Sequence, residues 1–149
     1  MKLSENLSLA EVIKSNTAIK KGIDNSPTEQ HLESLKLLAE NIFQPIREHF
    51  GVPIGISSGY RSEALNRVIG GSSSTSQHCK GEAFDLDADM FGKITNKEIF
   101  DFIKDNLDFD QLINEFDYSW VHVSYKKEGN RKQVLEAYKK EGKTKYKNI

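Results

Sequence analysis

Apolar residues return every three or four positions as Leu32, Leu35, Leu38, Ile42, Phe43 and Ile46, which gives a helix one hydrophobic face. Ahead of them, Ser26-Pro-Thr-Glu29 has the reciprocal capping pattern with proline at the first helical position, so a helix is predicted from there to about Gly51. The same cap at Ser8-Leu-Ala-Glu11 predicts a short first helix, and at Thr95-Asn-Lys-Glu98 a helix running to about Asn106. Elsewhere the period falls to two. Gly81 to Asp87 alternates, with Ala83, Asp85 and Asp87 on one face and Phe84 and Leu86 on the other. Ile54 to Gly59 is a short, partly β-branched strand, and the strands Gln111 to Glu115 and Trp120 to Tyr125 bracket a tight turn at Asp117. A brief helix is expected from Ser62 to Ile69, a glycine- and serine-rich loop from Gly70 to Ser76, and a helix from Arg131 onward.

This order of elements predicts an α+β fold in which helices pack on one side of a small, mainly antiparallel sheet. At 149 residues the chain fits a single domain, with a core segment at about 50–125 and a basic segment at 126–149. Hydrophobic content of 37% and charged content of 29% are those of a folded globular chain, which excludes disorder and says nothing of chemistry. The charge is unevenly placed. Nine basic and three acidic residues from Lys126 onward give +6, leaving −7 before them in a chain of net −1, a poor footprint for nucleic acid. Charges at Lys2, Glu5, Glu11 and Lys14 break any apolar run of signal-peptide or membrane-spanning length near the start. The expectation is therefore a monomer made in the cytoplasm, without membrane insertion, and Cys79 as the lone cysteine excludes an internal disulfide.

A carboxylate on a strand face needs a reason, and metal chemistry offers one. Catalytic zinc takes three protein ligands and keeps one position for water. His78 at a loop end, Asp85 on the following strand and His122 on a later strand could converge on one ion. Cys79 is a weaker candidate, because adjacency to His78 makes joint ligation awkward. Gly81 lets the backbone leave His78 without a Cβ clash, and Ala83 keeps bulk away from the face that carries Asp85.

Ser76-x-His78-x-x-Gly81-x-Ala83-x-Asp85, followed by Trp120-Val-His122, resembles the motif of the zinc D-alanyl-D-alanine carboxypeptidases, peptidase family M15. That family includes phage endolysins and shares its metal-site fold with the hedgehog signalling domain. Ser58-Gly-Tyr-Arg61-Ser resembles its strand-end arginine segment, so the likeness covers roughly residues 50 to 125. The resemblance implies one Zn2+ on His78, Asp85 and His122. It also implies that Arg61 clamps a substrate carboxylate or polarises the scissile carbonyl, although a surface ion pair is the plainer role. Many family members place the general base three residues before the last histidine, where this chain has Ser119. Glu115 is the chosen base, as in the hedgehog-like arrangement in which the strand opens with Phe-Asp, here Phe109-Asp110; Asp117 is its rival. Ser76 either donates to substrate or belongs to its loop, Trp120 is core or groove wall, and Asp87 is structural or orients a histidine.

The implied activity is hydrolysis of an amide bond in the stem peptide of bacterial peptidoglycan, as a D,D-carboxypeptidase or an endolysin-type endopeptidase reaching the wall after phage-type release. Two other readings share the ligand set: a non-catalytic module in which zinc stabilises a binding surface, and an iron(II) oxygenase. The latter usually spaces its first histidine and carboxylate by two residues rather than seven.

Overall fold

The computed structural model describes residues 1–69 and 76–149, so of the serine-rich loop only Ser76 lies within the described residues. A small antiparallel pair, β1 (Lys2–Ser4) and β2 (Leu7–Ser8), leads into α1 (Leu9–Ile13), and α2 (Asn16–Lys21) follows. Ser8 and Glu11 form the expected capping box. The long helix begins two residues later than predicted: Thr28 is its N-cap, its Oγ1 accepting from the His31 amide, and Pro27 stands outside. It runs as α3 (Glu29–Leu38), a π-helical stretch Ala39–Phe43, and α4 (Gln44–Phe50). Pro45 has no N–H to close the usual i→i−4 bond, and the wider turn lies directly ahead of it. Gly51, in the left-handed conformation, ends α4.

Six strands form the main sheet in the order β3 (Ile56–Ser58), β4 (Ala83–Leu86), β6 (Trp120–Ser124), β5 (Gln111–Glu115), β7 (Gln133–Lys140) and β8 (Lys143–Asn148). All neighbours are antiparallel except β5 and β7. α5 (Glu63–Ile69) and α6 (Asn96–Asn106) complete the described elements, with Thr95 and Glu98 capping α6 as expected. The fold is therefore α+β with a mostly antiparallel sheet. One sheet face supplies Phe84, Leu86, Leu112, Val121 and Val123 to a core shared with Leu35, Leu38 and Ile42 of the long helix and with Ile99 and Ile103 of α6. The opposite face carries Asp85, His122, Ile113 and Glu115, because strand side chains alternate.

The helix expected from Arg131 is absent. Gln133 to Lys140 and Lys143 to Asn148 form a hairpin instead, turning at Glu141 and Gly142 with φ of 53° and 77°. Leu, Glu, Ala and Lys favour helix only by tenths of a kcal/mol per residue. The parallel pairing of β7 with β5, which buries Leu135 and Ala137, overrides that preference.

Candidate metal centre

Sheet register brings the three predicted ligands together. Asp85 on β4 pairs directly with His122 on β6, and His122 Nδ1 lies 3.0 Å from Asp85 Oδ1. His78 arrives from a 3-10 turn, Gln77–Lys80, which places its Nε2 3.4 Å from the same oxygen. One ligand atom from each residue falls within 4.8 Å of the others. Three local features fix His78. Ser76 Oγ accepts from the His78 amide, Gly81 ends the turn with φ of 74°, and the Gly59 carbonyl stands 2.8 Å from His78 Nδ1. A carbonyl only accepts, so Nδ1 holds the proton and the Nε2 lone pair is left for a metal. Gly59 and Gly81 are obligatory here: a Cβ would meet the Val12 carbonyl oxygen at 2.3 Å and the His31 carbonyl oxygen at 2.5 Å.

The donor set fits a divalent cation. Burial works to raise the Asp85 carboxyl, but His78 and His122 outweigh it and hold the group well below the ordinary carboxylate range. It is thus an ionised carboxylate between two imidazoles, the form a cation would take. Cys79 is buried outside this cluster and lines a separate pocket with Gln30, His31 and Glu63; burial pushes its thiol up, away from the ligating thiolate.

A cleft of about 740 Å³ opens over the cluster. Arg61, Ser76, His78, Glu115 and His122 all line it. The Arg61 amide donates to the His78 carbonyl at 3.2 Å, and buried Asn25 pins this segment through the Tyr60 carbonyl and the Ser62 amide. Glu115 ends β5 with 7% exposure. Burial raises its carboxyl to about 7; His122 pulls against the rise and Asp85 adds to it. Asp117 is exposed in the left-handed turn Phe116–Tyr118 and does not line the cleft. Trp120 also stays out of it, its ring packing 5.5 Å from that of Phe116. Asp87 does not touch a histidine ligand: its Oδ1 accepts from the Asp89 amide and from Asn96, which ties the end of β4 to the start of α6.

Sequence reasoning missed the far wall. Gln111, Ile113, Lys126, Arg131, Leu135 and Tyr146 line the same cleft. Fully buried Asp110 accepts from Arg131 Nε at 3.0 Å and from Nη2 at 2.8 Å, fastening the incoming hairpin to β5. The available signal was the pair Glu141-Gly142, which suits a two-residue hairpin turn with both φ positive.

Two imidazoles and an ionised carboxylate under an open cleft, with a carboxyl titrating near neutrality beside them, have the layout of a hydrolytic metal centre. The family model Peptidase M15 matches residues 5–124, and the chain belongs to that family of metallopeptidases. No curated protein matches the sequence. No helix among the described residues is long and apolar enough to cross a membrane.

Proposed function

We propose that the protein is a zinc peptidase that hydrolyses amide bonds in peptidoglycan stem peptides. His78 Nε2, Asp85 and His122 Nδ1 hold the ion, and Glu115 is the general base. Zinc bound there supplies a Lewis acid and a water of lowered pKa. The carboxylate of Glu115 takes a proton from the attacking water and returns it to the leaving amine nitrogen, both within the cleft that it lines with His78 and His122. Arg61, on the cleft rim beside His78, offers two parallel donors to a substrate carboxylate or to the carbonyl under attack. Ser76 holds the His78 turn, a role it fills whether or not it also touches substrate.

The observation that carries this reading is the placement of Glu115: buried, on the sheet face of Asp85 and His122, and lining the same cleft as the ligand cluster. A module in which zinc only stabilised a binding surface has no use for a buried carboxyl aimed into the cleft beside the ion. The test is Glu115→Gln, assayed on purified muropeptides with metal content measured in parallel. The expected result is a loss of kcat of about 10²–10⁴-fold with one zinc retained. Full turnover in a zinc-loaded Glu115→Gln protein would remove Glu115 from the mechanism.

A further inference from the structure

The family match ends at residue 124, yet the cleft continues onto Lys126, Arg131, Leu135 and Tyr146. Sheet register explains how. Trp120 pairs with Glu115, Glu115 with Ala137, and Ala137 with Tyr146, so the four form one row across β6, β5, β7 and β8. Tyr146 therefore shares the sheet face of Glu115, two strands away, or about 10 Å between Cα atoms at the usual strand spacing. Between them stands Ala137, buried and small, so little side-chain bulk fills the gap. The neighbouring row runs His122, Ile113, Leu135 and gives the cleft an apolar floor leading away from the ligand cluster. A span of this width takes one extended peptide main chain, with the carboxyl of Glu115 on one side and the phenol of Tyr146 on the other.

We propose, building on the peptidase reading above, that the C-terminal hairpin is a working wall of the cleft and that Tyr146 is its substrate-contacting residue, donating its O–H to a carbonyl oxygen of the bound peptide. Tyr146 is 55% exposed, far more than a tyrosine kept for packing. Burial raises its phenol, and Glu115 and Asp85 raise it further, so it remains a donor at neutral pH. The hydroxyl is the only polar atom of a side chain that otherwise rests on the edge of the sheet, and its sole removal isolates the hydrogen bond.

The experiment compares zinc-loaded wild type, Tyr146→Phe and Tyr146→Ala on one muropeptide, following kcat, KM, zinc content and thermal midpoint. Removing the hydroxyl is expected to lower kcat/KM about tenfold, and removing the ring to lower it further with a raised KM, while zinc content and midpoint stay unchanged. Equal kcat/KM in wild type and Tyr146→Phe overturns the proposal, as does a loss that follows zinc content or unfolding. If wild type cuts no muropeptide, the peptidase reading falls by itself, and calorimetric binding of the same peptide decides Tyr146. Weaker binding by Tyr146→Phe then supports the contact; equal binding, or none by either protein, overturns it.

Discussion

Glu115 is a carboxyl group that the fold disfavours in its charged form. Its ordinary value is 4.5 and its folded value about 7, so the folded protein binds that proton more tightly than the unfolded chain does. In metal-free protein the stabilising effect of protonation is complete below pH 4.5 and is lost as pH rises through 7. Asp85 runs the other way, since its folded value lies below 3.8, and its contribution disappears only in more acidic solution. Between pH 5 and 8, urea unfolding of the metal-free protein should therefore show stability falling by an amount on the order of 2–3 kcal/mol, and Glu115→Gln should flatten that slope. An equal slope in both proteins would show that the carboxyl is not strained by burial. His78, Asp85, His122 and Glu115 were legible in the sequence through the family resemblance: its motif picked out the first three, and its strand opening Phe109-Asp110 pointed to the acid at the strand's end, which the register then puts on the face of Asp85 and His122. Trp120 shares that face too, but alternation sets a direction and not a distance, and a contact with Phe116 draws its ring out of the cleft.

Short elements aim the proposed ligands, and their tolerances are tight. Gly59 brings its carbonyl to His78 only because the Val12 backbone can approach where a Cβ would be, at 2.3 Å. Gly59→Ala should cost about 1–3 kcal/mol in denaturant unfolding and weaken zinc affinity about 10–100-fold through loss of the histidine's support. Unchanged affinity would mean that the turn around Ser76 and Gly81 holds His78 unaided. On the other wall, Asp110→Ala should destabilise by about 1.5–3 kcal/mol, because the half-exposed Arg131 side chain and the Arg131 amide lose their charged acceptor. Calorimetry of Asp110→Ala measures this directly, and a change below about 1 kcal/mol would show the hairpin is anchored by β5 pairing alone. Capped helices and alternating strands were readable in advance because their signals are local. The C-terminal hairpin was not, because its Leu, Glu, Ala and Lys residues suit a helix and only the non-local ladder with β5 makes them a strand.

At the scale of the molecule, helices bury one face of the sheet and leave the other open to the cleft, with strands β4 and β6 carrying the proposed ligands Asp85 and His122 and β5 the proposed base Glu115. A cation that binds only when those strands are assembled must stabilise the assembly. Saturation at a hundred times the dissociation constant contributes about 2.7 kcal/mol, which for a chain of this size raises the thermal midpoint by roughly 5–10 °C. Chelation should reverse the rise, and Asp85→Ala should abolish it. The most direct measurement of the central claim is mass spectrometry of peptidoglycan fragments after digestion by metal-free protein and by the same protein restored with one equivalent of zinc. New stem-peptide termini in the restored sample alone are the predicted result. Intact stem peptides after incubation with protein that carries its zinc on His78, Asp85 and His122 would contradict it.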